Sequence, residues 1–164
     1  MSTKSQLFVI AAAAAFLTTV APRAQASAEI DAFNEELDKE YGTYLDQLND
    51  KAELTGNKKI KGGYVFSTFP ASLYTNGGTY GLDGYVRTSC TSGVDAVRDL
   101  VLNKEIFKKA VVKKMKRIDC AFGGKAKDKF KLSFKDGRLL VTVSQEVYGA
   151  ETAELVGDYV KKTL

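Results

Sequence analysis

The residues around Asp136-Gly137 constrain the fold of this chain more than any other part of its sequence. An Asp-Gly pair favours a two-residue turn between antiparallel strands. Before this turn, the pattern places Phe130, Leu132 and Phe134 on one face of residues 127–135, which is typical of a strand with one solvent face. The other face carries Lys127, Lys129, Lys131, Ser133 and Lys135. Counting outward from the turn predicts the register. The predicted pairs are Lys135 with Arg138, Phe134 with Leu139, Leu132 with Val141, and Phe130 with Val143.

A third strand is predicted just before this hairpin. Within residues 116–122, Ile118, Cys120 and Phe122 alternate with the residues between them. Gly123-Gly124 then supplies a turn. The sequence therefore predicts an antiparallel meander in the C-terminal half, with strands at 116–122, 127–135 and 138–146.

Three amphipathic helices are predicted at residues 29–55, 92–112 and 150–164. In the first, apolar residues recur every three or four positions, and Gly56 supplies the stop. Ser92 is a candidate cap for the second helix, which Asn103-Lys104 would interrupt. The predicted fold class is α+β, an antiparallel sheet of three to five strands packed by amphipathic helices.

Glycine and tyrosine dominate the segment between the first two helices. Short strands are predicted at 64–66 and 85–87, with a turn or mobile loop between them. Tyrosine on a glycine-rich loop is a common ligand-binding residue, because it offers flat apolar area and a hydroxyl. Tyr74, Tyr80 and Tyr85 are therefore candidate ligand-loop residues. Twisted strands and tight turns account equally for this composition.

The N-terminal segment is typical of an export signal. Lys4 precedes an alanine-rich apolar stretch, and small residues at Ala24, Ala26 and Ala28 form two overlapping cleavage sites. We predict a cleaved signal peptide over residues 1–28, cut after Ala26 or Ala28, and one domain over 29–164. The alternative is an uncleaved anchor, although the uncharged stretch is marginal for a membrane span. The expected location is periplasmic or secreted, with no transmembrane segment after cleavage.

The chain has two cysteines, Cys90 and Cys120. An exported chain enters an oxidising compartment, where a single cysteine pair is expected to form a disulfide. A redox motif would place the two cysteines two residues apart. We therefore predict one structural disulfide.

Basic residues concentrate between positions 104 and 138, where the net charge is +9. If residues 127–135 form a strand, their lysines share a solvent face with Arg138. Like charges that are this close repel one another unless a nearby anionic group neutralises them. The candidate anion-binding residues are Lys127, Lys129, Lys131, Lys135 and Arg138. Two alternatives remain: the acidic first helix, with net charge −7, masks this face, or the lysines only protect exposed strands from aggregation.

The chain contains no histidine, which excludes Ser-His-Asp triads, Cys-His pairs and histidine-ligated metals. No phosphate-cradling glycine motif or calcium loop is present. We expect no catalytic residues, cofactor or metal. A carboxylate-dependent hydrolase acting on an envelope polymer is the alternative, with Asp83, Asp95, Asp99 and Glu105 as its candidates.

These observations favour an exported, non-catalytic binding module. Its expected partner is an anionic polymer or another exported protein. Specific nucleic-acid recognition is not favoured, because the predicted face is rich in lysine, poor in arginine and free of aromatic residues.

Overall fold

The structure is a computed structural model, and it describes residues 22–75 and 82–164. Within them the chain is α+β, with five α-helices and a four-stranded mixed sheet. The helices are α1 Pro22–Lys51, α2 Ala71–Thr75, α3 Arg87–Asn103, α4 Glu105–Lys114 and α5 Ala150–Thr163. The strands are β1 Lys61–Tyr64, β2 Arg117–Gly124, β3 Lys131–Lys135 and β4 Arg138–Ser144.

The order of the strands differs from the predicted antiparallel meander. The sheet runs β1-β2-β4-β3, and β2 is parallel to both β1 and β4. The antiparallel sheet and the meander were therefore wrong predictions, since β4 lies where the meander would put β3. The physical reason is composition: β4 is apolar at Leu139, Leu140, Val141 and Val143, as an interior strand is. The lysine-bearing β3 takes the edge.

The hairpin itself was predicted in the correct register. Lys135 pairs with Arg138, Phe134 with Leu139 and Leu132 with Val141. Both turn residues have positive φ, 53° at Asp136 and 81° at Gly137, as a tight turn of this type requires. The fourth predicted pair does not belong to the ladder, which ends at Lys131 opposite Thr142. Phe130 instead follows a 3₁₀ turn over Lys127–Lys129.

The helices also begin and end at different residues from those predicted. Helix α1 ends at Lys51, before Gly56, and α3 begins at Arg87, five residues before Ser92. The strand predicted at 85–87 is wrong, because a π-helical turn over Leu82–Val86 leads directly into α3. Tyr85 is buried there, and its hydroxyl donates to the Val147 carbonyl, so tertiary packing overrides its strand propensity.

One face of the sheet packs on α3 and α5 and forms the core. Gly93 of α3 leaves room for Val141 of β4 and Val156 of α5, which lie 3.4 Å and 3.8 Å from the place of a Cβ. The predicted disulfide is confirmed: Cys90 of α3 is bonded to Cys120 of β2. Both cysteines are buried. The disulfide therefore joins helix and sheet within the core.

Helix α1 covers the free edge of β1 with side chains in place of a fifth strand. Asn49 accepts a hydrogen bond from the Ile60 amide at 2.7 Å and donates one to the Ile60 carbonyl at 2.9 Å. Asp38 accepts a bond from the Tyr64 amide at 3.2 Å. Asn49 and Ile60 are buried, so these backbone groups depend on α1 for their partners.

The predicted signal peptide and its cleavage sites stay predictions. Residues 1–21, which contain its apolar stretch, lie outside the described residues. Helix α1 begins at Pro22 and continues without interruption through both proposed cleavage sites. Within the described ranges, no helix combines the length and the apolar character needed to cross a membrane.

We predict that Asn49→Ala lowers the free energy of unfolding by about 2–3 kcal/mol, because it leaves a buried amide and a buried carbonyl without partners. Urea denaturation measures this change. Asn57→Ala is the matched control, since Asn57 is exposed, and its effect should stay within about 0.5 kcal/mol. Equal effects of the two variants would contradict the role given to Asn49.

Loss of the disulfide should cost about 3–4 kcal/mol, since Cys90 and Cys120 are separated by 30 residues and a loop of that size restricts the unfolded chain. The comparison is between Cys90→Ala/Cys120→Ala and the oxidised protein, again in urea. Addition of a reductant should destabilise the parent protein only. An unchanged midpoint in the double variant would show that the bond contributes little.

Candidate anion-binding face

The second face of the sheet is turned away from α3 and α5. Because side chains alternate along a strand, the register assigns this face to every second residue of each strand. We call it the open face. Its residues are Lys61, Gly63, Arg117, Asp119, Ala121, Lys131, Ser133, Lys135, Arg138, Leu140 and Thr142. Its basic residues are all exposed, whereas Asp119 and Ala121 are buried.

Four cations line up across the open face, one from each strand. Lys61 is the register partner of Arg117, Arg117 of Arg138, and Arg138 of Lys135. We call these four residues the cationic row. Neighbouring strands are about 4.8 Å apart, so the row extends over roughly 14 Å. Like charges directly opposite one another destabilise a sheet, and this row places four of them side by side.

A single buried carboxylate holds the middle of the row. Asp119 lies two residues along β2 from Arg117, on the same face, and 4% of its side chain is exposed. It accepts bonds from Arg117 Nε at 3.0 Å, Arg117 Nη2 at 2.9 Å and Arg138 Nε at 2.6 Å. The bond to Asp119 raises the pKa of Arg117. About half of each arginine side chain stays exposed.

The structure separates the predicted anion-binding residues into two groups. Lys131, Lys135 and Arg138 lie on the open face as predicted. Lys127 and Lys129 lie on the 3₁₀ turn before β3, so the continuous strand face predicted for 127–135 is shorter than expected. Lys127 pairs with Glu151 of α5 at 2.7 Å, and Lys129 lies 3.5 Å from Asp128.

The acidic helix α1 directs carboxylates toward other basic residues. Glu36 and Glu40 pair with Arg87 at 3.0 Å and 2.9 Å. Asp46 pairs with Lys59 at 3.0 Å, and Glu53 with Lys108 at 2.6 Å. These ion pairs fasten α1 and the residues after it to α3, α4 and the turn before β1. These pairs neutralise part of the negative charge of this region, and none of them involves a residue of the cationic row.

The two described candidate ligand-loop tyrosines, Tyr74 and Tyr85, have different partners. Tyr74 lies on α2, where its hydroxyl donates to Asn34 at 2.9 Å. Tyr85 is buried and stacks on Tyr148 with ring centroids 5.5 Å apart; burial raises its pKa to about 12. Tyr80 lies outside the described residues. The role predicted for these tyrosines stays a prediction.

Two of the candidate catalytic carboxylates, Asp95 and Asp99 of α3, lie beside the same arginine, Arg98. Asp99 lines an open cleft of about 440 Å³ between α3 and α5, together with Glu154 and Asp158. Asp95 pairs with Arg98 at 2.9 Å, and burial raises its pKa. Glu105 lies exposed at the start of α4, and the Asp83 side chain lies outside the described part of the chain. No cluster of three potential metal ligands occurs among the described residues.

Sequence reasoning missed Lys61, Arg117 and Asp119. Both cations join the row through parallel pairing. Lys61 pairs with Arg117 across β1 and β2, which are far apart in the sequence. Arg117 pairs with Arg138 across β2 and β4, which are separated in the sequence by β3. Turn chemistry reveals a hairpin partner, but it carries no information on a parallel neighbour. The one available signal was the alternation in 116–122, which places Arg117 and Asp119 on the same face of a strand.

We predict that Arg138→Gln lowers the free energy of unfolding by about 1–2 kcal/mol, because it removes a charged partner from the buried Asp119 carboxylate. The half-exposed position of Arg138 limits the loss. Lys135→Gln is the control on the same row, and its effect should stay within about 0.5 kcal/mol. Chemical denaturation distinguishes them; equal losses would mean that the bond to Asp119 contributes nothing specific.

Comparison with known proteins finds no relative for this arrangement. No model of a known protein family matches the chain. Neither the curated proteins nor the solved structures contain a significant match. The function of the chain is therefore inferred from the geometry and charge of the open face.

Proposed function

We propose that this protein is an exported, non-catalytic binding protein that holds an anionic partner on its open face. The observation that carries the proposal is the cationic row, in which Lys61, Arg117, Arg138 and Lys135 are register neighbours. One carboxylate, Asp119, lies among the four cations. An anionic group laid along the row would offset the repulsion that remains.

Protection from aggregation explains only part of this charge. Lysines on β3 are expected on that ground, because β3 is an edge strand. Arg117 and Arg138 lie on β2 and β4, the two interior strands, whose backbone groups are already paired. Their positive charge has no such protective role there. It favours a surface that binds a partner.

The shape of the row favours an extended partner. The four cations form a line across all four strands. A site for a small ligand would instead enclose that ligand in a pocket. The strand positions of the open face carry no aromatic residue, and single-stranded nucleic acids usually stack their bases on aromatic rings. An acidic polymer of the cell envelope or the extracellular space is the partner class that this surface fits. The signal-like N-terminus and the disulfide support periplasmic or secreted placement.

Retention on heparin-agarose, a sulfated polysaccharide, tests the proposal. Lys61→Gln/Lys135→Gln removes two cations from the row and leaves both arginines bonded to Asp119. We expect this variant to elute at clearly lower salt. We also expect its binding to depend less steeply on salt, by about one unit of log-log slope for each lysine that no longer neutralises a sulfate.

The matched control is Lys113→Gln/Lys162→Gln, which removes the same charge from exposed lysines of α4 and α5. It should elute close to the parent protein. If the two double variants elute together, retention depends on net charge alone, and the open face is not the binding surface.

A further inference from the structure

We propose that Arg117, Asp119 and Arg138 form a preorganised site for a dianionic phosphate group. The inference deepens the proposed function and rests on it, because it assigns a ligand chemistry to the centre of the cationic row. Its own geometric basis is a pair of guanidiniums on neighbouring strands that one buried carboxylate holds in place.

The hydrogen bonds of Asp119 leave donors available on both arginines. Arg117 gives Nε and Nη2 to the carboxylate, and Arg138 gives only Nε. A guanidinium has further N–H donors in a fixed planar fork. About half of each arginine side chain is exposed, so a ligand at the open face can reach these guanidiniums. Fixed forks of this kind match oxyanions.

The charge of the site favours phosphate over a carboxylate. Two guanidiniums and one Asp119 carboxylate leave a local charge of +1, and Lys61 and Lys135 flank them on the outer strands. A phosphate monoester carries about −1.5 to −2 at neutral pH, whereas a carboxylate carries one negative charge. Phosphate also offers three oxygens, so it can accept donors from both guanidiniums at once.

In this proposal Asp119 is a positioning residue. It contacts the arginines and not the ligand, and it fixes their side-chain torsions before binding, which lowers the entropy lost in the complex. Simple electrostatics makes the opposite prediction for its removal. Asp119→Asn raises the local charge by one, which should tighten the binding of any anion. If Asp119 orients the arginines, the same change weakens the binding of phosphate.

The test is titration of the full chain with sodium phosphate at constant ionic strength, followed through the arginine Nε–Hε signals by NMR. We expect saturable shifts at Arg117 and Arg138, and an affinity at least about fivefold lower in Asp119→Asn. Lys113→Gln, which removes an exposed lysine of α4 outside the open face, should change the affinity less than about twofold. Unchanged or tighter phosphate binding in Asp119→Asn would overturn the inference.

A second variant and a second anion keep the test decisive. If Asp119→Asn fails to fold, the phosphate affinity of Arg138→Lys is measured instead, because lysine keeps the positive charge but lacks the planar guanidinium. An unchanged affinity in this variant would contradict the proposed phosphate site. Acetate should bind more weakly than phosphate, and equal binding would refute the phosphate assignment. If phosphate does not bind while the difference on heparin persists, this inference fails and the proposed function stands.

Discussion

The position of β4 between β2 and β3 determines both faces of the sheet. On the core side it brings Leu139 and Val141 beside Ile118 and Cys120 of β2, where α3 is joined through the disulfide. On the open side the same register sets Arg138 against Arg117. The core and the candidate site are therefore consequences of one strand pairing, and a shift by one residue would move the arginines into the core.

The two edges of the sheet are protected by different means. At β1, polar side chains of α1 bind the backbone groups that another strand would otherwise pair, with Asn49 bonding both polar groups of Ile60. At β3, lysines on the open face discourage association with a second sheet. The arginines of the two interior strands are the charges on the open face that edge protection does not explain.

Local signals were sufficient for the hairpin, and the single cysteine pair was sufficient for the disulfide, but neither determined the sheet. The Asp136-Gly137 turn and the alternation beside it determine a register between residues that are close in the sequence. The parallel pairs of β2 join residues such as Lys61 and Arg117 that share no local pattern. Alternation also made the predicted β3 too long, because the lysine spacing continues through the 3₁₀ turn over 127–129. Gly123 allows that turn to approach β2, where a Cβ would overlap the Lys129 carbonyl oxygen.

The burial of Asp119 explains how the row exists in the free protein. A buried carboxylate is costly to desolvate, and its removal from water is offset only when hydrogen bonds and opposite charge replace the lost solvation. Three bonds from Arg117 and Arg138 do so here. The same bonds hold two like charges on adjacent strands without a ligand. In the proposed site, the interaction that stabilises this surface in the free protein would also orient the two guanidiniums for an anion.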